Sequence, residues 1–287
     1  MCRLKPIMPG DPSTKSPGAT ATAYGIERSE GEWARLKAQN DGIQAYLGGK
    51  LTPLPVATFG APRRILDLGT GAGAWAVQAA TEYPDAEITA VDMAPLPQSF
   101  TPPANFKFVQ VDITQDLPFE EASFDIIHAR FLLMHLPTPE THVTRILRLL
   151  APGGHLITTE IDMRGDYAHN TPILVEAAKR LEERMEAKGL VPHFASRVGE
   201  MLRATQAFAE ITVKVVTLPF NASLVSDPPM RALTEIVRDS MITIMPYWQG
   251  GLVDPEEHDA FLREVSQSGK DWYCEHDMVF TCSRKKL

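Results

Sequence analysis

Cysteine is nearly missing from this chain: Cys2, Cys274 and Cys282 are the only three in 287 residues. That excludes a disulfide framework, and with no Cys or His pairs at ligand spacing no metal site is expected. Basic residues are also in short supply, 28 Lys and Arg against 36 Asp and Glu, for a formal net charge of −8. A chain that grips phosphates without sequence preference needs the opposite balance, so no nucleic-acid partner is expected. No run of about 18 apolar residues is present to cross a bilayer, and Arg3 and Lys5 lead into no apolar core of a secretory signal. A cytoplasmic protein without a membrane partner is the expectation; no internal repeat is visible, and the sequence leaves the oligomeric state open.

The remaining composition is that of a globular protein, 44% hydrophobic, ample for a sizeable core. Pro6, Pro9, Gly10, Pro12, Pro17 and Gly18, interleaved with Ser and Thr, predict a disordered leader over 1–22, and 23–287 reads as a single domain. From Glu27 to Leu47 the spacing of Trp33, Leu36, Ile43 and Leu47 fits an amphipathic helix ended by Gly48-Gly49. It is either a lid over a cleft or a packing helix.

After a Pro-rich linker near 53–62, strands alternate with helices. Strands are predicted at 65–68, 87–91, 106–111, 124–128 and 155–161, with helices near 73–83 and from Pro139 to Leu150. Such alternation implies parallel pairing through right-handed crossovers. Beyond Asp162 come helices over 173–188 and 228–245, strands near 210–219 and 272–282, and a helix opened by Asp254-Pro255-Glu256-Glu257.

The segment richest in chemistry is Ile65-Leu66-Asp67-Leu68-Gly69-Thr70-Gly71-Ala72-Gly73-Ala74, an apolar strand entering three alternating glycines. A strand, Gly-rich turn and helix in succession let main-chain N–H groups approach a ligand, and Asp92, ending the next strand, can accept two ribose hydroxyls. The spacing also satisfies the loose dinucleotide fingerprint. Asp67 decides against that reading, because its carboxylate would repel a pyrophosphate on the turn while attracting a sulfonium or ammonium group.

Five motifs in order carry a resemblance that spans about residue 24 to the end: Asp67-x-Gly69-x-Gly71-x-Gly73, Val91-Asp92-Met93, Val111-Asp112-Ile113-Thr114, Phe124-Asp125-Ile126-Ile127-His128-Ala129-Arg130 and Leu150-x-Pro152-Gly153-Gly154. Together they resemble the class I S-adenosylmethionine-dependent methyltransferases. Glu32-x-x-Arg35-Leu36-x-x-Gln39, Pro102-Pro103-x-Asn105 and Ile127 to Arg130 look like the fungal LaeA-like group associated with secondary metabolism.

The resemblance implies an α/β Rossmann-like, doubly wound and mostly parallel seven-stranded sheet with an antiparallel edge strand and a helical lid. Its cofactor-binding core would span about 60–165 and its lid segments about 166–250. It implies S-adenosyl-L-methionine as cofactor, with Gly69, Thr70 and Gly71 against the methionine part, Asp67 near its ammonium and Asp92 on the ribose. Met93 and Ile113 would flank the adenine, Asp112 would accept from its amino group, and Ala129 would complete the pocket.

Methyl transfer from a sulfonium needs alignment above all, but a hydroxyl acceptor would be helped by a base. His135 is the first candidate, since it follows the fourth strand at the cleft edge; a structural histidine is the competing reading. His169, in a loop after the fifth strand, and Glu160, near that strand's end, are the others, whereas His128 reads as structural. Arg130 is read as paired with a carboxylate of the fold or as a group for an acidic substrate. Arg35 either reaches the cofactor carboxylate or lies on a solvated face. The stripe Met241-Ile242-Thr243-Ile244-Met245-Pro246-Tyr247-Trp248 is either core or the wall of a pocket for a small apolar molecule. The expected activity is O-methylation of a hydrophobic or aromatic small molecule in natural-product biosynthesis. A cyclase or pericyclase that keeps the fold without transferring methyl, and a LaeA-like regulator acting through protein partners, are the alternatives.

Overall fold

A computed structural model describes residues 29–53, 59–244, 255–266 and 272–287. The leader over 1–22, much of the 53–62 linker and residues 245–248 of the apolar stripe lie outside the described residues. Helix α1 (Glu30–Tyr46) begins at Ser29, whose Oγ accepts the Glu32 N–H at 3.3 Å, closing one of the donors a helix start leaves open. Strand β1 (Arg64–Leu68) enters the glycine turn, and α2 (Ala74–Glu82), β2 (Glu87–Asp92), β3 (Phe106–Gln110) and β4 (Phe124–Arg130) follow. Next come α3 (Pro139–Leu149), the long β5 (Leu150–His169), α4 (Pro172–Ala187) and α5 (Phe194–Ala204). The chain finishes with β6 (Phe208–Pro219), α6 (Pro228–Ile244), α7 (Pro255–Ser266) and β7 (Tyr273–Lys285).

The strands form one sheet in the order β3-β2-β1-β4-β5-β7-β6. The first five pair parallel, and β7 runs antiparallel to both β5 and β6. The antiparallel strand therefore lies one place in from the edge, where β6 sits. Its burial explains the position: Cys274, Met278, Val279, Phe280, Thr281 and Ser283 are all buried, as suits a strand paired on both sides and covered on both faces.

Alternation sorts the parallel strands. Ile65 and Ile126 turn toward α2 and pack with Ala76 and Ala79, whereas Leu66, Leu68, Ile127 and Ala129 enter the larger core on the opposite face. The register Asp67↔His128 puts both residues on the α2 face with Arg130, two residues further along β4. Above the carboxyl ends of β1, β2 and β4, where open α/β sheets bind ligands, α1 and α6 cross closely. Gly42 makes that crossing possible, because a Cβ there would stand 2.5 Å from Ile236 Cδ1.

Helix α5 has no counterpart in the predicted elements. Its first N–H groups are capped from far away, Asp162 accepting from Ala195 at 2.9 Å and from Ser196 at 2.7 Å. No local cap announces it.

Candidate active site

The turn after β1 needs its glycines. Gly69 has φ of +64°, a region costly for L side chains, and a Cβ there would meet Leu132 Cδ1 at 2.8 Å. Glycine thus lets Leu132 close against the turn, while Gly69 and Gly71 also line the cavity above it. Asp67, 2% exposed, holds the turn: its Oδ2 accepts the Thr70 hydroxyl at 2.6 Å, and its Oδ1 lies 2.7 Å from His128 Nδ1. The His128 ring stacks flat on Trp75, centroids 3.7 Å apart and planes 5° from parallel. Burial pulls the His128 pKa down, against the opposing hydrogen bond and charge of Asp67.

Asp92 closes β2 with both oxygens engaged, Oδ2 accepting from Gly71 N–H and Oδ1 from Ala94 N–H, each at 2.9 Å. Asp112 uses one oxygen, Oδ1, for the Thr114 N–H at 2.9 Å and hydroxyl at 2.7 Å. This local turn fixes the carboxylate at the rim of a cavity.

That cavity, about 910 Å³, lies between the strand ends and the α1–α6 cap, within the size range of small-molecule sites. One end is lined by Asp67, Gly69, Thr70, Gly71, Asp92, Met93, Asp112 and Ile113. These are the residues predicted for the cofactor, Ala129 excepted. Ala129 is fully buried on the other face of β4, a consequence of strand alternation that nearest-motif reading overlooks. The other end is lined by Phe131, Met134, His135, Ile161, Val237, Met241 and Ile244. A smaller space of about 140 Å³ behind Ile113, beside His142 and Arg145, has neither glycine turn nor strand-end acid other than Asp116 and Glu121 of a loop.

Of the three candidate bases only His135 reaches the cavity wall. Glu160 is fully buried and turned to a structural task, its Oε1 accepting the Leu133 N–H at 3.0 Å and the Leu132 N–H at 3.4 Å. Burial raises its pKa to about 8, those N–H groups opposing the rise. It thereby anchors the short turn Leu133–His135 that carries His135. His169 is exposed, paired in register with Tyr273 at the far end of β5, and does not line the cavity. The apolar stripe divides, with Met241 and Ile244 in the wall and Met245 to Trp248 outside the described residues.

Each arginine has a distant partner that sequence spacing does not reveal, Ser240 for Arg35 and Asn40 for Arg130. Arg35 forms a two-pronged pair with Glu32, 2.7 Å on each arm, and donates to Ser240 Oγ at 2.5 Å. Gln39 reaches the same oxygen at 3.4 Å, so α1 is tied to α6 across the cavity mouth. Arg130 donates to Asn40 Oδ1 at 2.7 Å, an amide where a carboxylate is expected. Its pKa falls to about 10 through burial, with Asp67 opposing.

A glycine turn lining the cavity, a buried acid beneath it and two more strand-end acids make a poor seat for pyrophosphate and a good one for a cationic nucleoside. The class so defined is that of enzymes using S-adenosylmethionine, which when bound supplies an activated methyl group on sulfur. Residues 66–158 match the family described as a methyltransferase domain. The chain is 34% identical over 273 residues to "Methyltransferase str2" of Strobilurus tenacellus, covering 93% of this chain and 98% of that one. To "Methyltransferase str3" of the same fungus it is 39% identical over 205 residues, covering 71% and 73%. The protein belongs to the class I S-adenosylmethionine-dependent methyltransferases; over 143 residues it is also 28% identical to "Secondary metabolism regulator laeA" of Coprinopsis cinerea, covering 48% of this chain and 36% of that one. A solved structure of Haemonchus contortus phosphoethanolamine N-methyltransferase 2, with S-adenosylhomocysteine, shares the fold at a TM-score of 0.52 and 19% identity. It overlaps 86% of this chain, which spans 53% of that longer protein.

Proposed function

We propose that this protein methylates a hydroxyl of a hydrophobic or aromatic small molecule in fungal natural-product biosynthesis. One observation carries the reading: a single cavity is lined both by the glycine turn and by an apolar wall of Met134, Val237, Met241 and Ile244, with His135 in that same wall. Methionine and aliphatic side chains adapt to irregular organic shapes, and their low polarity excludes water from the reacting centre. Kinship with a chain named as a regulator of secondary metabolism supports the natural-product setting.

In this reading Gly69 and Gly71 hold the methionine portion of the cofactor, Thr70 and Asp67 fix the turn beneath it, Asp92 takes the ribose, and Met93, Asp112 and Ile113 take the adenine. His135 receives the proton of the acceptor hydroxyl, and the cap residues align the acceptor. Alignment supplies most of the acceleration, up to about 7–11 kcal/mol in favourable systems, and the base adds about 10² to 10⁴ in rate.

The test is incubation with methyl-labelled S-adenosylmethionine and a panel of phenols, aliphatic alcohols and aromatic amines. Label transfer to phenols, lost at least tenfold in His135→Ala, is expected. Labelled amines with unlabelled phenols would move the activity to nitrogen. Conversion of a polyene without release of S-adenosylhomocysteine would favour cyclase chemistry instead.

A further inference from the structure

The sheet ends in two unlike edges. At one, β3 is five residues long, short enough to offer little to a partner. At the other, β6 runs for 12 residues, and no described strand pairs with its outer side. The ladder to β7 shows which main-chain groups face outward. Phe220 N–H donates to Cys274 O at 2.7 Å, continuing the register that pairs Leu218 with His276 and Pro219 with Glu275. Residues along an antiparallel ladder alternate between bonding inward and outward. The even-numbered residues from Glu210 to Leu218 therefore bond to β7, and Ile211, Val213, Val215 and Thr217 turn N–H and C=O toward the open edge. Pro219 obeys the same parity, its donor missing where β7 needs none.

The side chains along this edge match a second copy of themselves. Val213 and Val215 are 37% and 52% exposed, two of the five large apolar side chains that the described residues leave exposed. Glu210 and Lys214, exposed as well, stand on the other face of the strand. Let a second β6 run antiparallel with Thr212 on the twofold axis. Ile211 then falls opposite Val213 of the partner subunit, and Val213 opposite the partner's Ile211, in the bonded positions that the outward parity requires, for about four main-chain hydrogen bonds. Glu210 falls opposite Lys214 of the partner subunit, twice over, in the non-bonded positions where side chains approach most closely. An axis at Lys214 would set two like charges face to face, and one at Val213 would leave Glu210 opposite Val216 of the partner subunit. Charge thus selects one register. Arg284, the neighbour of Glu210 on β7, is not within ion-pair distance of it.

The helices leave room for this pairing. Helix α5 packs on β5, β7 and β6, hence over the middle strand of the three. Two copies of α5 would stand about three strand spacings apart, ~14 Å, wider than the about 8–10 Å between packed helices. We propose that the outer edge of β6 is a homodimer interface, pairing antiparallel with β6 of a second copy about Thr212, with the Glu210–Lys214 pairs fixing the register. Two seven-stranded sheets then join into one. No β6 residue lines the 910 Å³ cavity, so the interface stands apart from the reading of that cavity.

Sedimentation velocity on the full chain from about 1 to 200 μM covers the range in which a small interface dissociates, and a reversible dimer is expected there. Glu210→Lys, which sets lysine opposite Lys214, should raise the dimer Kd about tenfold or more, and adding Lys214→Glu to it should return Kd to within about threefold of wild type. Val213→Pro deletes an outward N–H while leaving the β7 ladder intact, and should give a monomer with the circular dichroism of wild type. Amide exchange on the wild-type chain supplies a readout that needs no variant: Ile211 and Val213 should exchange more slowly as concentration rises, with the β7-bonded Thr212 and Lys214 unchanged. A wild-type monomer throughout the range overturns the proposal, as does a dimer indifferent to the charge reversal. Protection of Ile211 and Val213 that ignores concentration also overturns it, because another part of the same chain then covers the edge.

Discussion

The two halves of the sheet treat buried polar groups differently. At the β1–β2–β4 end Asp67, Asp92 and His128 are buried and each has hydrogen-bond partners within a few ångströms. In the β5–β7 half Asp162 and the Thr158–Thr281 pair are likewise satisfied, but Glu160 Oε2, His276 Nε2 and Ser283 Oγ are buried with no hydrogen-bond partner among the described residues. A partnered network holds a geometry in place, whereas an orphaned group contributes mainly a desolvation cost that varies with protonation. The first half is built to receive a defined ligand; the second carries acid–base liabilities within its packing.

Removing an acid from the partnered half should have the largest effect. Asp67→Ala deprives His128 and Thr70 of their acceptor and leaves the Arg130 charge without its counterweight. It is expected to cost about 3–5 kcal/mol of stability and to reduce S-adenosylhomocysteine binding below detection, as read by urea unfolding and calorimetry. Persistent binding would dissolve the contrast between the halves.

Glu160 tests the orphaned half next. Its pKa of about 8 in the folded chain lies above the ordinary 4.5, so the folded state holds the extra proton between these values. Stability from this group is full below about pH 4.5 and is lost as pH rises through 8. Wild-type melting temperature should therefore fall between about pH 5 and 8, by several degrees on the usual scaling, and Glu160→Gln should flatten that limb. Parallel profiles for the two proteins would show that Glu160 holds no such proton.

His276 works in the other direction and on a smaller scale. Its pKa is depressed to about 4 by burial, so the unfolded chain binds the proton first. Its contribution is present above about pH 6.5 and disappears as pH falls through 4. His276→Phe should soften the acid limb of the stability profile and leave the alkaline limb alone. The mildest change is Ser240→Ala, which removes the acceptor for Arg35 and Gln39 while Glu32 keeps its pair. About 0.5–1.5 kcal/mol of stability should go, with S-adenosylhomocysteine affinity kept within about twofold. A large loss of cofactor affinity would mean that the cap and the cofactor end are one unit.

What was legible in the sequence follows the same division. Asp67, Gly69, Gly71, Asp92, Met93, Asp112 and Ile113 sit at strand ends and turns, where short-range spacing fixes position, and they share one cavity wall. Arg130 and its partner Asn40 are 90 residues apart, and Arg35 and Ser240 are 205 apart; only the strand register and the helix crossing bring them together. The stacked pair His128–Trp75 was hidden for the same reason, although the alternation of Ile126, His128 and Arg130 signals which side chains share a face once β1 is placed beside β4. Glu160 illustrates the opposite failure: an acid at the right strand, with its carboxylate turned to main-chain donors that no residue pattern predicts.

Strand β7 has a consequence for how the protein comes into being. Being the last of the described elements to be synthesised, it must slot between β5 and β6 after both already exist, completing two ladders at once. Until residue 285 has left the ribosome, β5 and β6 each wait with an unpaired edge, the kind of template that recruits another chain. A stop codon that removes β7 would therefore spare every glycine and acid of the cofactor end and still leave β5 and β6 without the strand that joins them, each with an open edge.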